Sequence, residues 1–237
     1  MFGEIIMGFD KSYKTIWFLH CFLLFSPFLV ERYLIAPITL SREPLYLWGT
    51  IHWIYCYIAY GVVCLIHYRW RKKIDCNIAI KPKKHDYKYV LISVVIGIVG
   101  GYIFAFFSGH GVYAPMIYRE LTGYMRQEPL WMGIAGFAMQ YIYYIFEFVL
   151  IAFIIDCAQK TTIRLGWTQG VPWGGIFLAL TWGLMHRYGI IPSALRGEYI
   201  YSMKMTIMCL SVGFAYMLPG KKFTNSFFTI MSWYWLT

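Results

Sequence analysis

WMGIAGFAMQYIYYIFEFVLIAFII, residues 131–155, is the stretch whose reading decides the fold. Its 25 residues hold one carboxylate, Glu147, and one other strongly polar side chain, Gln140. A run of this length suffices for a helix across the roughly 30 Å hydrocarbon core of a bilayer. A carboxylate at mid-bilayer costs at least ~2.5 kcal/mol. It therefore calls for an interior partner, a water-filled cavity or a chemical task.

The rest of the chain agrees with a membrane reading. Hydrophobic residues make up 59% of the 237 positions and charged residues 14%. Soluble domains hold about 45–50% and about 25%. We expect an all-α integral membrane protein, a single polytopic domain over residues 1–237 with about seven transmembrane helices, within a range of about six to eight. The candidate spans are 15–30, 46–67, 88–107, 130–155, 172–191, 199–218 and 223–237. The first reads as an uncleaved helix, because no small-residue cleavage site follows it. The last has only 15 residues and is short for a full crossing.

Orientation follows from Lys and Arg, which accumulate on the cytoplasmic side. Residues 69–88, RWRKKIDCNIAIKPKKHDYK, carry eight basic residues and read as a cytoplasmic loop. That places the N-terminus inside and, with seven spans, the C-terminus outside. The setting is the cytoplasmic membrane, and the partner implied by the basic loop is anionic lipid. The net charge of +10 then reports topology, and no motif for nucleic acid accompanies it. All six cysteines fall in spans or on the inner side, so no structural disulfide is expected.

Helices in lipid pack through small and polar residues, so those residues mark inward faces. The third span shows Ser93, Gly97 and Gly101, the sixth Ser202, Thr206, Cys209 and Gly213, the last Asn225, Thr229 and Ser232. In the fifth, Gly175, Ala179 and Gly183 recur every four residues, with Trp182 and His186 beside them. In the fourth, Gly133, Gly136, Gln140, Tyr143 and Tyr144 share a face with Glu147. Asp156 points away from that face and reads as the cytoplasmic helix end. On adjacent antiparallel helices Glu147 and His186 fall at depths about 6 Å apart, close enough to meet directly or through one water.

A Glu–His pair in a membrane interior can hold and activate a water for attack on a carbonyl. The candidate catalytic residues are Glu147 and His186, with Gln140, Tyr143, Tyr144 and Trp182 as substrate-binding or supporting groups. The competing reading is a hydrogen-bonded Glu147 satisfied by its Tyr and Gln neighbours, and a third is ion or proton handling. His20, His52, His67 and His110 read as helix-end or loop residues. There is no HExxH and no CxxC, so neither a metal nor another cofactor is expected.

The order of these features carries a resemblance. A helix bears a glutamate (YYIFEFVLIAFIIDCAQK, 143–160), then comes PWGG (172–175), then FLALTWGLMHRYG (177–189). CLSVGFAYM (209–217), the basic turn PGKK (219–222) and a final aromatic helix follow. Residues 130–237 resemble the core of the CPBP family, the CAAX prenyl endopeptidases and bacteriocin-processing or immunity proteins also called Abi. The resemblance implies an intramembrane endopeptidase acting on membrane-borne peptides or proteins, with Glu147 and His186 activating water. It also implies, as alternatives, a non-catalytic immunity or scaffold relative; a small transporter subunit using Glu147 is the reading from a different class. The chain departs from the family pattern at named places. Phe146 and Phe148 flank Glu147, so the usual glutamate pair is missing. Ile151 and Ala152 stand where an arginine is usual. No histidine follows His186, so the late His–Asn motif is missing too.

Overall fold

A computed structural model describes residues 19–41, 45–74, 86–107, 116–126, 129–184, 190–219 and 223–236. Every regular element among them is helical. Helix α1 spans Leu19–Thr39 and contains a π turn at Glu31–Ile35. The chain continues through α2 (Leu45–Ile74), α3 (Asp86–Phe107), the short α4 (Met116–Tyr124) and α5 (Leu130–Arg164). Helix α6 (Trp173–Leu178) runs on into a second π turn, Ala179–Gly183, and is followed by α7 (Ile190–Leu195), α8 (Tyr199–Met217) and α9 (Phe223–Leu236).

Among the described residues, three helices are long and apolar enough to cross a membrane: Leu19–Thr39, Leu47–Arg71 and Leu130–Ile163. Tyr87–Ile103 and Met203–Met217 are shorter apolar helices. The surface is built for lipid. Helix α3 turns Leu91, Val95, Val99 and Ile103 outward at four-residue spacing and buries Ser93, Gly97 and Gly101. Apolar side chains outside and small or polar ones inside is the arrangement that lipid favours.

Helix α5 is the axis. Its 35 residues, about 52 Å at 1.5 Å each, pack against α2, α4, α6, α8 and α9. It begins after Pro129, whose extended backbone (φ −75°, ψ 148°) precedes the first turn. It ends at Gly166, where φ is +80°. The Trp167 N–H reaches back to the Thr162 carbonyl at 3.0 Å, which closes the terminal turn and satisfies a carbonyl that would otherwise be left over. Gly133, Gly136, Gln140, Tyr143, Tyr144 and Glu147 are all buried, the face expected from their spacing.

Small residues bring helices into backbone contact. A Cβ on Gly213 would lie 2.5 Å from the Gly175 Cα, so α8 meets α6 there without an intervening side chain. Helix α9 lies along α3 in the same way, with Gly97 against Ser232 and the Thr229 carbonyl. The Thr229 hydroxyl also donates to the Ser93 carbonyl at 3.0 Å.

Three expectations need correction. The first span does not stop at residue 30: the helix continues to Thr39, because Glu31 finds hydroxyl partners inside the bundle. The second span runs on to Ile74, so Arg69 and Arg71 are helical and not in a loop. Asp156 does not face away from the interior. It is buried, accepts a hydrogen bond from the Tyr216 hydroxyl at 2.6 Å, and pairs with Arg71 and Lys160, both at 3.1 Å.

Candidate functional site

Glu147 sits in the middle of α5 with 1% of its surface exposed. Its Oε1 accepts a hydrogen bond from the indole Nε1 of Trp182 at 3.2 Å. Its Oε2 has no hydrogen-bond partner among the described residues. Trp182 reaches it from the π turn after α6, where one extra residue per turn rotates the following side chains relative to the preceding α-helix. Such turns are frequent at functional sites.

The second carboxylate comes from an unexpected direction. Glu31 opens the π turn of α1, where Pro37 has no N–H to offer and the Ala36 N–H bonds back to the Glu31 carbonyl. Its Oε2 accepts hydrogen bonds from the Tyr60 hydroxyl and, at 3.1 Å, from the Tyr143 hydroxyl. Tyr143 precedes Glu147 by one turn and also interacts with it, and each carboxylate lies within the other's field. Two acidic side chains, the half-buried Glu31 of α1 and the buried Glu147 of α5, are therefore linked through tyrosine hydroxyls of α2 and α5.

Helix α2 completes the cluster. His52, Cys56 and Tyr60 recur every four residues and so line one face. The His52 Nε2 lies 3.7 Å from Glu31 Oε1 and 3.6 Å from the Cys56 Sγ. Its Nδ1 lies 2.9 Å from the Thr39 hydroxyl. Aromatic rings close the sides. Trp53 packs on Tyr143 with centroids 4.8 Å apart, and Phe28 meets Tyr60 at 5.1 Å and Trp182 at 6.1 Å.

Of the residues singled out from sequence, Glu147, Tyr143 and Trp182 come together here. Gln140 and Tyr144 serve a second cluster. The Gln140 amide and the Tyr144 hydroxyl both donate to Glu120 Oε1 at 2.9 Å, and the Tyr141 hydroxyl donates to Oε2 at 2.9 Å. Glu120 lies on α4, outside the spanning helices. Burial pushes its carboxyl above the ordinary range, and the hydrogen bonds from Tyr141, Tyr144 and Gln140 pull it back. His186 lies outside the described residues.

The sequence reading passed over Glu31, His52, Cys56 and Tyr60. His52 is buried in the third turn of α2 and His67 is fully buried near its other end, so neither is a rim residue. The signal for His52 was the four-residue stripe His52, Cys56, Tyr60 in the part of the helix ahead of its basic end. Glu31 carried no such signal, because it reads as the end of a short span.

No family model, no curated protein and no solved structure matches this chain.

Proposed function

We propose that the protein is an intramembrane endopeptidase of the CPBP kind, set in the cytoplasmic membrane as a bundle of about seven spans with its N-terminus inside. Its substrates are membrane-borne peptides or proteins. The observation that carries the reading is Glu147: a fully buried carboxylate with one oxygen unpartnered among the described residues, beside a second carboxylate and two tyrosine hydroxyls.

In this reading Glu147 Oε2 takes a proton from a water as the water's oxygen attacks the scissile carbonyl. The Trp182 N–H holds the other carboxylate oxygen and so fixes the base in position. The Tyr60 and Tyr143 hydroxyls donate to Glu31 and hold the second carboxylate beside the base. Glu31 offers the second carboxylate that the sequence around Glu147 lacks. The protonated base then returns its proton to the leaving amine, as general acid–base catalysis requires.

The test is cleavage of quenched-fluorescent transmembrane peptides by the purified protein in proteoliposomes. Glu147→Gln should lower the rate by roughly 10²–10⁴-fold, the usual worth of a positioned acid or base. Glu31→Gln should also lower it. Equal rates in wild type and Glu147→Gln would overturn the proposal.

The chain of hydroxyls between Glu31 and Glu147 favours one second reading, proton transfer through the bundle. It predicts a pH change inside dye-loaded liposomes that needs both carboxylates and no peptide.

A further inference from the structure

We propose that Glu31, His52 and Cys56 form a binding site for a divalent transition metal ion, zinc by donor chemistry, with its fourth position turned toward Glu147. The site stands on geometry independent of any reaction assigned to the bundle, and it reverses the expectation from sequence that no metal is held.

The donor set comes first. One carboxylate oxygen, one imidazole nitrogen and one thiol sulfur lie within 4.8 Å of one another. Zinc takes these three atom types at about 2.0–2.2 Å for O and N and about 2.3 Å for S. A tetrahedron with those bond lengths has edges of about 3.4–3.6 Å between ligand atoms. The His52–Cys56 and His52–Glu31 separations are 3.6 and 3.7 Å. Only the remaining edge has to close, and both of its side chains have rotatable bonds.

The tautomer of His52 comes second. The Thr39 hydroxyl donates its hydrogen to the Ile35 carbonyl at 2.7 Å. Its oxygen can then only accept from His52, so the hydrogen of the neutral ring sits on Nδ1, 2.9 Å away. That leaves the Nε2 lone pair facing Glu31 and Cys56. The Cys56 thiol donates to that lone pair at 3.6 Å, and the Glu31 carboxylate oxygen lies 3.7 Å from the same nitrogen. A divalent cation in place of the thiol hydrogen would be held by all three atoms. Thr39 has the position of the outer partner that fixes the ring of a metal-binding histidine.

The fourth position comes third. Glu147 is 1% exposed, and its Oε2 is without a hydrogen-bond partner among the described residues. Its charge and that of Glu31 both act on Cys56 and Tyr60. A water held by its carboxylate can fill the fourth position. Binding displaces the thiol proton of Cys56 to solvent, as for any cysteine ligand. No sequence motif marks the site, because two ligands lie four residues apart on α2 and the third arrives from α1.

The experiment measures metal, not activity. The full chain is purified in mild detergent, dialysed against zinc and then against metal-free buffer, and its metal content determined by mass spectrometry. Wild type should retain one zinc per chain. His52→Ala, Glu31→Gln and the near-isosteric Cys56→Ser should each weaken zinc affinity by at least about 10-fold, and Thr39→Val by about 10–100-fold. Cys64→Ser, two turns along the same helix, should leave it unchanged. Cobalt should give a thiolate charge-transfer band in the near ultraviolet that Cys56→Ser abolishes and Cys64→Ser keeps. The proposal is overturned if folded, monodisperse wild type retains no zinc, or if Cys56→Ser and Glu31→Gln bind zinc as wild type does. A site occupied by a proton alone gives the first of these results.

Discussion

At the scale of the residue, Glu147 and Trp182 define what the interior has to satisfy. The indole N–H is the donor to one carboxylate oxygen, and the other oxygen has none among the described residues. Burying an unsatisfied acceptor costs about 1–3 kcal/mol, more for a charged one. Trp182→Phe removes this donor and should lower stability by at least ~1 kcal/mol, read as an earlier thermal unfolding transition in detergent. Glu147→Gln should behave oppositely. Its amide oxygen still accepts from Trp182, and the carboxylate charge is gone, so the transition should stay or move up. A residue that destabilises the fold and is nevertheless present fits a functional role, since functional sites are often where stability is given up. If Glu147→Gln unfolds earlier than Trp182→Phe, the carboxylate is a structural anchor instead.

At the scale of the element, two devices place the site: π turns and glycine contacts. Both π turns among the described residues sit at the cluster, one starting at Glu31 and one containing Trp182. The glycine contact between α6 and α8 lies about two turns before Trp182 along the same segment. Gly213→Ala would set a Cβ 2.5 Å from the Gly175 Cα, backbone that has no rotamer to yield. We expect it to cost about 1–3 kcal/mol. It should also weaken any activity that depends on Trp182, because α6 must move. Gly49→Ala in α2 meets nothing within 4 Å and should be neutral or stabilising by up to ~1 kcal/mol. Thermal unfolding of the two variants side by side checks both expectations, and equal transitions would remove the close contact from the argument. These faces were legible in advance. Gly175, Gly213, Gly97 and Thr229 occupy inward positions at the spacing a helix imposes. The π turns were not legible, because a turn of five residues has no fixed residue signature and depends on what the neighbouring helices demand.

At the scale of the whole molecule, Asp156 ties three helices together. It takes the Tyr216 hydroxyl from α8, Arg71 from α2 and Lys160 from its own helix. Arg71 and Lys160 are 25% and 20% exposed, so solvent or headgroups can partly replace the carboxylate for them. Tyr216 is buried, so solvent does not reach its hydroxyl to take the carboxylate's place. Asp156→Leu should therefore cost about 2 kcal/mol, a fall of roughly 4–8 °C in the unfolding transition. An unchanged transition would mean that the ion pairs contribute nothing net.

The sequence by itself determined the class of the protein, its axis and much of its packing. A bilayer imposes length and apolarity on each helix, and helical periodicity then assigns the faces, so Ser93, Gly97, Gln140, Tyr143, Glu147 and Gly175 could be placed from spacing alone. It did not determine which helices meet at Glu147. Helix α1 brings Glu31 and α2 brings His52, Cys56 and Tyr60, from parts of the chain about 90 to 115 residues away from Glu147. Neither resembles a known motif. Only the tertiary structure decided that meeting, because it depends on how helices cross. Crossing is set by the sum of many small-residue contacts and hydrogen bonds between distant segments, which no local pattern encodes.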